Sequence, residues 1–386
     1  MKILFASDIS FNDFTAFPGA EKARSVVTET AAFFRQADFS VVNLENIVGN
    51  AEDYTPIVKS GPNLISDEGF LSYIDALDPT AVGLANNHAG DYGEGALMHT
   101  IGLLEQKGYQ HMGAGRNLDE AYEPAIFEQD GLKAAVIAVC ENEFGGATDD
   151  SAGSAGYSLS RVTGAIRRAR ENGCIPIIYF HGGNEHYAFP SPGKNELYRH
   201  FIDIGAGAVI AMHTHCPQGY EFYSGCPIVY SMGNFYFPVD RLLKPNPAWN
   251  YGYMVQLDLK TDGCSLEIIP YTFNFDRHHP LSGEEKADFL EYLAHLCVVI
   301  GDKKLLEEYF DSWCAISGLH NHLDMVEFTE NMYTDGPNSV KVMRNLFSCE
   351  AHNELLRRSL QILYEGRQNK AGKHIDEIKR LQQMKL

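Results

Sequence analysis

The amino-acid sequence predicts an α/β fold, and three observations lead to it. Short β-rich runs alternate with helical patterns as far as about residue 215, the mark of stacked α/β units around a sheet. Polar residues able to bind metal stand directly after several of those runs. Beyond Pro280 the pattern changes to helix formers with spaced Leu, Tyr and Phe.

The strand candidates are residues 3–6, 39–44, 81–85, 134–139, 175–180 and 208–212. Between them lie helical patterns at 21–35, 69–77, 94–107, 161–171 and 195–204. Residues 125–140 read as a hairpin, because Asp130-Gly131 supplies a tight turn. Two more hairpins are expected, 220–223 with 228–230 and 251–259 with 265–275, the second turning at Thr261-Asp262-Gly263. The small-residue segment Gly145 to Gly156 is expected to be a mobile loop or lid. Helices are predicted at 284–300, 305–313, 340–347 and 354–364, followed by a charged, Lys-rich tail from Gly366. The expected organisation is therefore an α/β domain over 1–280 and a helical extension over 281–386.

With 386 residues the chain exceeds the usual domain of roughly 100–200, which agrees with a large domain plus an appendage. A composition of 45% hydrophobic and 21% charged residues excludes disorder and collagen-like repeats. The 31 Lys and Arg against 51 Asp and Glu give a formal charge of −20, which disfavours nucleic-acid binding. An anionic substrate must then be met by local cations or by metal ions. The opening MKILFASD is too short for a signal-peptide core, and no stretch reaches the roughly 18–20 apolar residues of a membrane span, so a cytoplasmic protein is expected. Eight cysteines without a CxxC pair read as reduced thiols with no part in function.

In α/β sheets, sites are built from loops at the carboxyl ends of strands. Six segments here end that way: Asp8; Asn43 with Glu45; Asn86-Asn87-His88 with Asp91 behind; His181 with Glu185; His213 and His215; and Ser231 to Asn234. A single strand-end Asp or His is more often a cap or a loop hydrogen bond than a ligand. Together they supply the oxygen and imidazole ligands preferred by Mn, Fe and Zn. The His213-x-His215 pair, read as extended chain, points both imidazoles the same way.

This constellation resembles the calcineurin-like metallophosphoesterase superfamily, and more closely its CapA-like branch, named for poly-γ-glutamate capsule synthesis. The resemblance spans about residues 2–240 and rests on six ordered motifs. Asp8 matches the first, Asn43-Leu44-Glu45 the NLE segment, and LANNHAGDYG from Leu84 to Gly93 an ANNHxxDYG pattern. His181 and Glu185 match HxGxE, HTHCPQG from His213 to Gly219 matches H-x-H…QG, and YSMGNF from Tyr230 to Phe235 matches YSxGNF.

The resemblance implies a four-layer α/β/β/α sandwich with one or two divalent ions (Mn, Fe or Zn) between the sheets. Asp8, Glu45 and His215 would hold one ion, and Glu45, Asn87, His181 and His213 the other, with Glu45 bridging. Such a pair of cations can bind a hydroxide at neutral pH and clamp the oxygens of a phosphoryl-like transition state. His88, in its protonated form, would stabilise that charge or protonate the leaving group, with Asp91 behind it. Lys59 of Lys59-x-Gly61-Pro62, Glu185 and Asn234 are the candidate contacts to substrate, Lys59 being one of few cations available for an anion.

Ser10 stands where typical phosphoesterases carry the His of a D-x-H motif, a lack that the CapA-like branch shares, and it predicts a weaker first ion, with Ser10 or Asn12 the nearest residues able to complete its sphere. Asp13 stands where the branch carries a basic residue, and Gly182 where it carries an aromatic. The expected function is metal-dependent hydrolysis of a phosphoester or of an anionic γ-glutamyl polymer. The alternative is a non-catalytic accessory protein of capsule synthesis that binds the polymer or a precursor. Gly113-Ala114-Gly115 reads as a plain turn, the His278-His279 and His320-x-His322 pairs are not expected to bind metal, and a G-x-S-x-G nucleophile elbow is missing.

Overall fold

Strand Lys2–Ile9 sets the architecture, because Ile3, Leu4, Phe5 and Ala6 are all fully buried. Alternate side chains leave a strand on opposite faces, so this strand has apolar material on both sides. Ile3 and Phe5 enter one core and Leu4 and Ala6 another. A computed structural model describes residues 1–11, 16–239, 246–261, 263–326 and 328–385; Asn12, Asp13 and the turn residue Asp262 lie outside them.

Among the described residues the first strand sits inside an eight-stranded mixed sheet. It pairs in parallel with Phe39–Leu44, which pairs with Ala81–Gly83 and then Gln110–Met112. On its other side its first half pairs antiparallel with Tyr251–Lys260, and its second half pairs in parallel with Asn234–Tyr236. A second sheet of six strands has parallel members Leu132–Cys140, Ile175–His181, Ala208–Met212 and Cys226–Val229, edged by Ala125–Gln129 and Tyr220–Tyr223.

The sheets face one another across the core that holds Phe5, Val41, Ala138, Ile178 and Tyr179. The Tyr179 hydroxyl donates to the Ala6 carbonyl at 2.6 Å, which stitches the layers together. Gly83 makes room for that ring, since a Cβ there would lie 2.9 Å from it. Helices Ala20–Val27, Leu71–Leu77 and Gly93–Gln106 cover the outer face of the first sheet. Helices Leu159–Glu171, Pro192–Asp203, Gly283–Gly301 and Lys303–Trp313 cover the second.

Three local expectations need correction. Residues 21–35 form two helices, Ala20–Val27 and Ala31–Gln36, because the hydroxyls of Thr28 and Thr30 donate to the carbonyls of Arg24 and Val27 and compete with the helical ladder. The 145–156 segment is tied down rather than lid-like. Gly153–Ser154 pairs with Ala114–Gly115, and Gly90 packs so close to Gly145 that a Cβ would stand 2.4 Å from its Cα. The charged tail after Gly366 folds as helices Gln368–Ala371 and Ile375–Gln382, with Ile378 and Leu381 fully buried in the same core as the second sheet. Its Lys and Arg residues occupy the outer face of an amphipathic pattern too short to stand out in a charged stretch.

Candidate metal centre

The first sheet brings three polar residues side by side, since the register pairs Asp8 with both Asn43 and Asn234. A ladder irregularity between Phe5 and Asp8 marks where the strand changes partners. The second sheet delivers His181 at the end of its central strand, next to Met212, whose strand leads straight into His213. Asp8, Glu45, His181, His213 and His215 are all buried, two of them carboxylates without exposed surface.

The Asp8 carboxylate is fully engaged. Its Oδ1 accepts from Asn43 Nδ2 at 2.7 Å and lies 3.3 Å from His181 Nδ1, while Oδ2 accepts the His213 backbone N–H at 3.0 Å. Burial alone would raise this carboxyl, but the charges of His181 and His215 and the bonds from His181 and Asn43 outweigh it and hold it below its ordinary value. Glu45 is the opposite case: both of its buried oxygens lack a hydrogen-bond partner. Oε1 lies 3.5 Å from His181 Nε2. Although burial opposes charge on His181, Glu45 and Asp8 push its imidazole up to about 10. The His181 proton therefore balances the two carboxylates.

His181 Nε2 also lies 3.0 Å from Asn87 Oδ1 and 2.9 Å from His213 Nδ1. His213 has a positive φ of 95° and His215 one of 54°, conformations that cost non-glycine residues energy and cluster at functional sites. The two imidazoles thus reach the centre through a left-handed turn, not through extended alternation. Burial and the charge of His181 push His213 well below its ordinary value. Potential ligand atoms of Glu45, His181 and His213 lie within 4.8 Å of one another, as do those of Asp8, Glu45 and His215. These are two His/Asp/Glu clusters of metal-holding geometry that share Glu45.

The remaining candidates surround this core. Asn234 is committed at both ends, its Oδ1 to His215 Nδ1 at 2.7 Å and its Nδ2 to the Trp249 carbonyl at 3.1 Å. It fixes the tautomer and direction of His215, which also rests against the Trp249 ring. Lys59 is buried, and it pairs with Asp91 and meets His88 Nδ1 at 3.1 Å. Asp91 Oδ2 accepts from His88 Nδ1 at 2.7 Å and from the Leu64 N–H at 2.6 Å. Because His88 Nδ1 faces Asp91, Nε2 is its remaining nitrogen. Glu185 stands on the exposed rim, 3.9 Å from His186 Nε2, outside both clusters. The buried Ser10 hydroxyl lacks a hydrogen-bond partner.

The family model of the bacterial capsule synthesis protein PGA_cap matches residues 2–239, which contain every residue described above except Trp249. The chain belongs to the PGA_cap family. Among its curated relatives is the PGA biosynthesis protein CapA of Bacillus subtilis, 25% identical over 292 residues that cover 74% of each chain. The capsule biosynthesis protein CapA of Bacillus anthracis is 25% identical over 254 residues, 64% of this chain and 60% of that one. A Mycobacterium tuberculosis relative, named as a polyglutamine synthesis accessory protein, is 26% identical over 230 residues, 55% of this chain and 58% of its own. The chain thus spans less than two thirds of the latter two.

Sequence reasoning missed Glu141 and Glu143, although both follow the strand Leu132–Cys140 and the strand-end rule applies to them. Glu143 Oε1 lies 3.7 Å from His213 Nε2, and burial, with Glu185 and Glu141 nearby, pushes its carboxyl up to about 8. Glu141 pairs with the buried Lys194 at 2.5 Å. Gly182, where an aromatic was expected, leaves room for that carboxylate, since a Cβ there would lie 2.5 Å from Glu141 Cγ. Beyond the PGA_cap segment, Arg344, Glu350 and Glu354 reach back to the loops at residues 141–143 and 191–193, a contact that sequence separation hides. Among the described residues, no helix is long and apolar enough to cross a membrane.

Proposed function

We propose that this PGA_cap protein is a metal-dependent hydrolase built on a metallophosphoesterase-type sandwich, acting on a phosphoester or a γ-glutamyl linkage of an anionic polymer. The observation that carries this reading is Glu45, a fully buried carboxylate whose oxygens lack hydrogen-bond partners between two imidazole-bearing clusters. A buried carboxylate without hydrogen bonds is costly, and a cation bound by its oxygens offsets the cost. Asp8, Glu45 and His215 would hold one ion and Glu45, Asn87, His181 and His213 another, a donor set suited to Mn, Fe or Zn. When bound, such ions supply Lewis acidity toward a phosphoryl or carbonyl oxygen and lower the pKa of water.

The chain's own residues supply the rest. Asn43 and Asn234 orient Asp8 and His215. Asp91, itself paired with Lys59, accepts from His88 Nδ1 and holds the ring with Nε2 available to deliver a proton to a leaving group. Lys59 would reach substrate through His88 and through its field, because its ammonium is already paired. Poly-γ-glutamate or a related capsule polymer is the first substrate to test, a reading that draws on the names of the relatives.

Purification without chelator, metal analysis, and a screen of phosphomonoesters, phosphodiesters and γ-glutamyl peptides test the reading. Metal in the wild type with turnover of one class is expected. His88→Asn should keep the metal and lose roughly 10²- to 10⁴-fold in kcat, the scale of general acid catalysis. Equal loss of metal would make His88 a ligand instead. The second reading, an accessory protein that binds polymer without cleaving it, draws on the name of the mycobacterial relative. It stands if metal is bound and no substrate turns over. Failure to bind any divalent ion would sink the hydrolase.

A further inference from the structure

We infer that the helical extension completes a separate zinc site, formed by Glu143, Cys349 and His352, where it docks on the strand-end loop of the PGA_cap segment. Potential ligand atoms of these three residues lie within 4.8 Å of one another. Tetrahedral zinc with bonds of about 2.0–2.3 Å puts ligand atoms about 3.3–3.8 Å apart, so side-chain rotations must draw the three together to close the set. A thiolate, an imidazole and a carboxylate favour zinc over the harder Mn or Mg.

The hydrogen bonds around His352 form a second, independent observation. His322 Nδ1 faces the Ser317 carbonyl at 3.1 Å, and a carbonyl can only accept, so that nitrogen carries the proton. Neutral His322 then presents a lone pair at Nε2, which lies 3.0 Å from His352 Nδ1. His352 Nδ1 must donate there, which leaves the lone pair of His352 Nε2 free to bind a cation. A backbone carbonyl that orients one imidazole, which in turn orients a ligand imidazole, is the outer-sphere arrangement that tunes metal-binding histidines.

The surrounding contacts fix the geometry. Arg344 donates to the Glu143 carbonyl at 2.8 Å, and Glu350 accepts from the Asn142 N–H at 2.9 Å and from its Nδ2 at 2.6 Å, so helices Pro337–Ser348 and Glu350–Tyr364 are clamped on either side of Cys349. Cys349 is buried, and its S–H donates to Glu141 Oε2 at 3.7 Å. Binding exchanges the thiol proton for the metal: the S–H bond breaks, the sulfur keeps the electron pair for the zinc, and the proton passes to solvent. The site joins the extension to the loop that carries Glu143 beside His213, a metal tie for which the family segment supplies Glu143 and the extension supplies Cys349 and His352.

The two centres are distinguishable because the Asp8/Glu45 clusters contain no cysteine. Full-length protein stripped with chelator should be titrated with Co²⁺, whose thiolate charge-transfer band in the near ultraviolet reports cysteine ligation alone. The expected result is a saturable band that Zn²⁺ bleaches and Cys349→Ser abolishes, while the visible cobalt bands of the other centre persist. His352→Gln should also remove the band, which covers the case of a Cys349 variant that does not fold. His322→Ala, a positioning change, should weaken cobalt binding at this band by roughly 10- to 100-fold. A wild type without the band, or a band of unchanged strength in Cys349→Ser or His352→Gln, overturns the site whatever happens at Asp8 and Glu45.

Discussion

Two buried polar clusters lie close together in this molecule and differ in one respect. In the Lys59–His88–Asp91 cluster every charge has a partner: Asp91 accepts from Lys59, from the Leu64 N–H and from His88. In the Asp8–Glu45–His181 cluster, Glu45 lacks any hydrogen-bond partner and the balance is left to a proton on His181. Both draw on polar residues after apolar strands, His88 and Asp91 in one and Asp8, Glu45 and His181 in the other, so origin does not separate them. Charge compensation does. A closed network holds structure and aims a side chain, whereas an open one with unsatisfied oxygens is built for something that arrives from outside.

That contrast can be broken by mutation. Asp91→Ala strands the buried Lys59 ammonium and should cost about 3–5 kcal/mol of stability, read by denaturant melts, with or without added metal. Glu45→Gln should differ in its metal response. It takes away a carboxylate that faces the protonated His181, so the chelator-treated protein should lose stability near neutral pH. The roughly 2.7 kcal/mol that the wild type gains from an ion at 100 times its Kd should vanish. If Asp91→Ala abolished the metal response while Glu45→Gln kept it, the assignment of the two clusters would be inverted. Asn234→Ala frees the His215 ring and should weaken metal affinity by roughly 10- to 100-fold, seen by calorimetry, with smaller effect on the melt of metal-free protein.

A further effect is expected in pH. The folded value of His181, about 10, exceeds its unfolded value of about 6.5. A raised value contributes stability that is complete below about pH 6.5 and is lost as pH climbs toward 10. In chelator, the wild-type melting temperature should therefore decline across that window, and Glu45→Gln should flatten the decline because Glu45 is the stronger of the two carboxylate influences on His181. A flat wild-type profile would show that His181 does not carry the balancing proton.

Much of the centre was legible because strand ends announce themselves. An apolar run followed by Asp8, Glu45, His181 or His213 needs no knowledge of the fold to be noticed, and the structure brings these four together. The same rule applied to 134–139 would have reached Glu141 and Glu143. No motif of the family covers that segment. Lys59 resisted reading for another reason. A loop lysine is usually solvated, and only the fold reveals that Asp91, 32 residues later, buries and pairs it. The tail after Gly366 also hid its burial, since Ile378 and Leu381 are two apolar positions among many charges.

The sequence by itself determined the α/β alternation, the hairpin at Asp130-Gly131, the family and the chemical types gathered after the strands. These are local properties: periodicity, turn stereochemistry and ligand chemistry are written within a few residues. Tertiary structure alone decided which charges are paired. It left Glu45 without a hydrogen-bond partner while it closed Asp91, and it turned His213 and His215 into the centre through positive φ. It also carried Cys349 and His352 across 200 residues to Glu143. Charge compensation depends on distances between side chains far apart in the chain, and no local pattern encodes such distances.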